Sequence, residues 1–391
     1  MTSNRDYYCS LKFTDLGIDL EKRTINSCCS ATQTRINFVD MKQKGLLNVS
    51  YLTNDRQNML DNVSSSSCQN FCWSLEDNGY MSTRLIDKTD KRTHLNPHID
   101  KLKQLVITMG SRCNLTCAYC NKNYSRSWAL DVLQNGNYPI THEYDTYTLT
   151  AKDKVLKKLS QTDLYSGQNY HDMMDQLAQL KDCVDKVDIV GGEPFLYDTL
   201  VDLIASFPST VNILLLTGAG IKPDKFQEKI DLIKDFKNVT ISISAETIQT
   251  HYEFARYGNT FENFLKIVNI VKQSGLKYKF ISTLSNLTIF GYLDFVKFAD
   301  ADIRQNFCSD PKFLRISVLD DATKNHLIEQ FDKQNNPMFN GIVQNLSVSN
   351  QVLEQDRNNL SIFLKEFSTR RNINLSFFPS TLLKWLDINV V

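Results

Sequence analysis

The sequence predicts an α/β protein in which parallel strands and crossover helices build a barrel or part of one. Two observations carry that expectation. Beyond residue 95, short apolar runs alternate with stretches of helical period, the pattern of repeated βα units. Residues 1–95 have a different texture, with short extended pieces, turns, clustered cysteines, a serine-rich tract from Asn62 to Gln69 and a weak apolar core of their own.

Six segments qualify as strands: Gln104–Met109, Lys186–Val190, Val211–Leu216, Val239–Ser244, Lys277–Thr283 and Phe313–Val318. Helices are expected at Tyr170–Val184, Thr199–Ser206, Pro223–Phe236, Thr260–Ser274, Gly291–Ala299 and Asp321–Lys333. Pro223 suits a first helical turn, where its missing N–H costs nothing. Asn121–Thr150 reads as an insertion without a clear period, and the tail from Gln351 predicts a helix to about Arg371 and then a capping segment with Pro379. The organisation expected is a cysteine-rich domain at 1–95, a barrel at 96–335 and a C-terminal helical extension at 336–391.

A chain of 391 residues, 42% hydrophobic, has enough apolar material for a large core. Forty-four lysines and arginines balance 44 aspartates and glutamates, so no global positive field gathers nucleic acid or anionic lipid. The N-terminus MTSNRDYYCS lacks a signal-peptide pattern, and no apolar run reaches the roughly 18 residues of a membrane span. A cytoplasmic protein without membrane association is therefore expected, and general nucleic-acid binding is not.

Eight of the ten cysteines precede residue 121, and only Cys183 and Cys308 stand apart as ordinary small hydrophobes. Cytosolic thiols are normally kept reduced, so the clustered ones point to metal or cluster ligation. Directly after the first expected strand comes Gly110-Ser-Arg-Cys113-Asn-Leu-Thr-Cys117-Ala-Tyr-Cys120, a CxxxCxxC pattern. Three thiolates hold three irons of a 4Fe-4S cluster and leave the fourth iron open to a small ligand. A structural zinc site would want a fourth ligand nearby, and the next histidine or cysteine is His142, in an uninformative context.

The loop, with Tyr119 at its aromatic position, resembles the CxxxCx(aromatic)C signature of the radical S-adenosylmethionine (SAM) superfamily. The resemblance implies a partial TIM barrel of six βα units with the site at the C-terminal strand ends. It implies that the open iron chelates the amino and carboxylate groups of SAM. Reductive cleavage would then give a 5'-deoxyadenosyl radical that abstracts a substrate hydrogen, the cofactor carrying the hard chemistry. An electron donor such as flavodoxin or ferredoxin is implied with it.

The second expected strand ends in Gly191-Gly192-Glu193-Pro194, which is similar to the family's GGEP motif, where glycines admit close backbone approach and a carboxylate faces the SAM ammonium. After the fourth strand, the resemblance implies SAM contacts for Ser242 and Ser244 and a carboxylate partner in Arg256. Many relatives carry Asp-Gly where this chain has Ala245-Glu246. Asn286, at the end of the fifth strand, is a further contact or a helix cap.

Cys9, Cys28 or Cys29, Cys68 and Cys72 form a second set. With Arg56, Met59, Glu76, Gly79, Ser82 and Arg84, this segment resembles a Twitch or SPASM-type auxiliary-cluster domain, which usually follows the barrel rather than preceding it. The resemblance implies a second 4Fe-4S cluster on Cys9, Cys28, Cys68 and Cys72. Four thiolates on zinc, or free thiols, remain open as alternatives. Such domains accompany peptide and protein modification, so a peptide substrate is expected. Radical oxidation or rearrangement of a small metabolite or nucleotide is the second reading, and a non-catalytic iron-sulfur scaffold is the third.

Overall fold

A computed structural model describes residues 6–28, 30–77, 82–86, 95–141, 167–347 and 354–388. Its strands are β1 Asp15–Asp19, β2 Thr24–Asn26, β3 Thr34–Arg35, β4 Leu102–Thr108, β5 Val184–Val190, β6 Asn212–Thr217, β7 Val239–Ser244, β8 Lys277–Leu284 and β9 Ile303–Phe307. Two compact units divide the chain. The first holds the described residues up to Gly110 together with 167–216 and 235–240, and the second holds 111–141, 217–234 and the described residues from Ile241 onward.

In the first unit the strand order is β3-β2-β1-β4-β5-β6. β4 and β5 run parallel, with Leu105 opposite Val187 and Ile107 opposite Ile189, and β6 continues parallel with Ile213 opposite Val187. These side chains are buried, as branched and aliphatic residues are in parallel strands covered on both faces. The N-terminal segment carries more regular structure than its composition suggests. β1 runs parallel to β4 with Leu16 opposite Leu105, and the helix Ser50–Leu60 buries Leu52 and Met59.

The second unit contains most of β7, then β8 and β9 in that order, with β8 and β9 parallel from Phe280 opposite Ile303 to Leu284 opposite Phe307. Its helices fall close to expectation at Pro223–Ile233, Phe261–Ser274, Tyr292–Phe298, Asp321–Asp332 and Glu354–Arg371. The second of these has clear stop and start signals. Thr260 caps the N–H of Asn263 at 3.1 Å, and Gly275 closes the helix at φ +73°. No described helix is long and apolar enough to cross a membrane.

Three sequence expectations are corrected. Phe313–Val318 is not a strand. Its apolar residues are buried as core around a short 3-10 turn, and the side chain of Asn286 donates to the carbonyls of Phe313 (2.7 Å) and Val318 (3.2 Å). The ladder position belongs instead to Ile303–Phe307, whose polar Arg304, Gln305 and Asn306 hid it. Asn286 is thus a buried cross-link, not a helix cap. The region 121–150, expected to lack a period, contains the helix Arg126–Asn135; residues 142–166, with His142 among them, lie outside the described residues.

A cleft of about 720 Å³ in the second unit is lined by His251, Phe290, Asp294, His326, Leu327 and Phe377, among others. His251 Nε2 donates to the carbonyl of Leu287 at 2.6 Å, and its ring packs against Phe254, Phe377 and Phe378. Burial pushes its pKa down from 6.5 to about 4. Below pH 6.5 the unfolded chain binds a proton that the folded one refuses, so stability falls as pH drops from 6.5 toward 4. We expect His251→Phe to lose the Leu287 hydrogen bond but to flatten this part of the acid limb by about one proton. Thermal midpoints measured across that range check it, and an unchanged slope would refute it.

Candidate functional site

The CxxxCxxC loop has no ladder of its own, so its shape is set by what it touches. Backbone N–H groups of Thr116 and Ala118 donate to the carbonyls of Tyr257 and Ala255, both at 2.9 Å. The side chain of Asn114 donates to the carbonyl of Gly220 at 2.5 Å. Carbonyls of the loop are taken from the other side by the start of the helix Arg126–Asn135. Ser125 Oγ donates to Leu115 O (2.6 Å), Ser127 Oγ to Cys113 O (2.8 Å) and Trp128 Nε1 to Cys117 O (2.9 Å). The buried Trp128 ring stacks on Phe363 of the helix Glu354–Arg371, and Arg371 of that helix lies 5.1 Å from its centroid.

Within this frame Cys117 is buried, while Cys113 and Cys120 are partly accessible. Burial pushes the Cys120 thiol up, and the neighbouring charges of Cys117 and Cys113 push it further. The three thiols therefore share one electrostatic neighbourhood. Burial also raises Cys117, and the Arg256 guanidinium pulls against it. Arg256 Nη1 stands 4.0 Å from Cys117 Sγ. Three cationic irons bridged by sulfide suit such a set, because the metal charge reverses the thiol balance.

Arg256 itself is gripped by Glu246, which the sequence left in doubt. Its Nη2 and Nε donate to the two carboxylate oxygens at 2.6 and 3.2 Å. Glu246 Oε1 also accepts from the Tyr119 hydroxyl at 2.8 Å and the Thr283 N–H at 3.1 Å. Neither Glu246 nor Arg256 is appreciably exposed. Ser242 and Ser244 alternate along β7 with Ile241 and Ile243 and so share one face. Both are buried, and Ser242 Oγ has no hydrogen-bond partner. An orphaned buried hydroxyl on that face fits a site that receives a polar ligand.

Gly191-Gly192-Glu193-Pro194 belongs to the first unit. Gly191 has φ +92°, and a Cβ there would meet Thr108 Cγ2 at 2.5 Å, so only glycine fits. Glu193 is buried and accepts the Phe195 N–H at 3.2 Å, capping the short turn Pro194–Leu196. The N-terminal cysteines lie in the same unit. Cys9, Cys68 and Cys72 pack in one core with Tyr8, Phe13, Met59 and Trp73, while Cys28 is buried and its carbonyl accepts from Asn26 Nδ2 at 2.6 Å. Cys29 and Gly79 lie outside the described residues.

One buried and one half-buried cation lie near these thiols. Lys12 is fully buried and pairs with Asp55, which Ser27, Ser65 and Ser67 also engage. It acts electrostatically on Cys9, Cys28 and Cys68. Arg84 forks onto Glu76 at 2.6 and 2.9 Å, lies 4.9 Å over Trp73, and acts on Cys9 and Cys72. Ser82 donates to Glu76 at 2.5 Å. Burial, the largest influence, pushes the Cys9 thiol up to about 12. Arg56 is fully buried and donates to the carbonyls of Lys12 and Leu47, both at 2.9 Å, so its part is structural.

Among the described residues no three histidine, cysteine or acidic side chains gather tightly enough to hold a single metal ion. Four thiolates on one zinc at 2.3 Å would stand about 3.8 Å apart. A cluster spreads them over the corners of a larger cube. Sequence reasoning missed Ser125, Ser127 and Trp128 as supports of the loop because their helix showed no period within its polar surroundings, and Arg371 because it meets the loop across 255 positions.

Residues 107–299 match the family model for the radical SAM superfamily. An uncharacterized protein of Methanocaldococcus jannaschii is 22% identical over 249 residues, 60% of this chain and 71% of that protein. Among solved structures, native anSMEcpe with bound AdoMet aligns at 15% identity and a TM-score of 0.37 over 61% of this chain and 62% of that one. SuiB of Streptococcus suis aligns at 15% identity and a TM-score of 0.39 over 92% and 78%. This chain thus spans less than two thirds of anSMEcpe.

Gly258 offers a direct test of the loop frame. It has φ +103°, and a Cβ there would meet Asn114 O at 3.0 Å. We expect Gly258→Ala to cost about 1–3 kcal/mol in denaturant unfolding. A variant as stable as the parent would show that the loop is not held where described.

Proposed function

From the premise that the chain is an enzyme of the radical SAM type, we propose that Cys113, Cys117 and Cys120 hold its 4Fe-4S cluster and that SAM binds the open iron. The observation that carries this reading is the placement of all three thiols on one loop that is pinned to Ala255 and Tyr257, with Arg256 beside Cys117. When bound, the cluster and SAM supply a 5'-deoxyadenosyl radical that removes a hydrogen atom from the substrate. The protein's own residues bind, orient and shield. In the second unit Ser242 and Ser244 offer hydroxyls from β7; in the first, Glu193 holds a buried carboxylate beside Pro194 and Gly191 admits no side chain. Tyr119 orients the loop through Glu246. Reducing electrons come from a flavodoxin or ferredoxin in this reading.

We further propose a second 4Fe-4S cluster on Cys9, Cys28, Cys68 and Cys72. What supports a bound centre there is the packing of Cys9, Cys68 and Cys72 in one core and the two cations that act on these thiols, Lys12 and Arg84, each locked by its own carboxylate. A peptide or protein substrate is the reading we favour, on the resemblance of this N-terminal segment to auxiliary-cluster domains that accompany peptide modification.

Anaerobic reconstitution followed by SAM and dithionite is the direct test. We expect 5'-deoxyadenosine from the parent and none from Cys117→Ala; no product from the parent would remove the enzymatic reading of this site. Iron analysis separates the two centres. Cys72→Ala should lose one cluster's worth of iron, retain uncoupled SAM cleavage and lose substrate modification. Only one cluster's worth of iron in the parent, with stoichiometric zinc, would reject the second cluster.

A further inference from the structure

We propose that Glu246 is a positioning residue for the cluster loop: it clamps Arg256 so that the guanidinium donates to Cys117 Sγ and sets the reduction potential of the iron that Cys117 holds. The proposal rests on the cluster assignment above and goes further, giving a role to a carboxylate that no motif assigned.

The geometry is unusually constrained for a single side chain. One carboxylate, fully removed from solvent, takes four donors: two from Arg256, one from the Tyr119 hydroxyl and one from the Thr283 backbone. Those donors come from three places in the second unit: the cysteine loop, the end of the helix Gln249–Ala255, and β8. The fork leaves Arg256 with Nη1 directed at Cys117 Sγ, 4.0 Å away, while its Cζ lies 5.4 Å from the Tyr119 ring centroid. The backbone on either side is fixed as well. Ala118 N bonds to Ala255 O, so Cys117 and Arg256 sit on neighbouring segments that cannot slide apart independently.

A buried ion pair adds little net stability over an apolar replacement, and breaking one partner is costly. Stability alone therefore gives a poor reason for placing this pair here. Its position gives a better one. Hydrogen bonds and fixed charge at a cluster's sulfurs set its potential, since each electron added raises the negative charge they must offset. A lysine could supply the charge, but only a planar fork can satisfy both carboxylate oxygens and still present a third donor to sulfur. The arginine expected to meet a cofactor carboxylate is thus already committed to Glu246, and its remaining donor faces the ligand of the cluster.

The test is a redox titration of reconstituted protein followed by electron paramagnetic resonance. We expect Arg256→Gln to keep its iron but to move the loop cluster to a more negative potential, so that at a fixed ambient potential the reduced fraction falls at least threefold. Arg256→Lys should recover part of the shift. In a double-mutant cycle, Glu246→Gln should change the potential by different amounts with and without Arg256. An unchanged potential in Arg256→Gln, or strictly additive shifts, would overturn the proposal. If Arg256→Gln does not fold, Arg256→Lys decides it: a potential equal to the parent's overturns the role, and a negative shift with full iron supports it. Failure of the underlying assignment looks different, since the parent itself would then show no SAM-responsive cluster.

Discussion

Three thiols that repel one another as thiolates must be held side by side on a loop with no regular structure, and much of the second unit answers that constraint. The loop takes two backbone bonds from residues 255 and 257, gives its carbonyls to Ser125, Ser127 and Trp128, and rests a tyrosine on a buried carboxylate. The partners come from three stretches of the chain, 125–128, 246 and 255–257. Loop placement is consequently a property of the folded unit and not of the CxxxCxxC segment, whose spacing determines only which side chains are offered.

That division explains what was legible in the sequence. Strands such as Lys186–Val190 and Val239–Ser244 were readable because buried parallel strands concentrate branched apolar residues, and helices such as Thr260–Ser274 because caps and period agree. The sixth strand was misplaced for the complementary reason. Phe313–Val318 is apolar because it is buried, not because it pairs, and Ile303–Phe307 pairs while remaining half polar. Apolar density reports burial, and only backbone pairing makes a strand.

The candidate ligands stood out in the sequence, and the residues that support them did not. Cysteine spacing and the glycine pair announce themselves over a few residues. Glu246 meets Tyr119 across 127 positions and Arg371 meets Thr116 across 255, separations at which no local pattern survives. The N-terminal cysteines present the same contrast. Their clustering was visible, whereas the pairing of Lys12 with Asp55 and of Arg84 with Glu76 depends on folding that brings residues 12 and 55 together. Two separate cation–carboxylate pairs thus stand beside a thiol set that is otherwise packed among apolar side chains.

The placement of the tryptophans has a practical consequence. Of the three in the chain, Trp73 packs in the core with Cys9, Cys68 and Cys72, and Trp128 donates its indole N–H to the carbonyl of Cys117. Each cysteine set therefore has an indole built against it, while Trp385 stands apart with Arg357. Iron-sulfur centres absorb broadly where indoles emit, so assembly at either set would darken its own tryptophan. With clusters in the two sets as proposed, the protein would carry an optical gauge for each, and single Trp→Phe replacements would let the two filling events be timed separately.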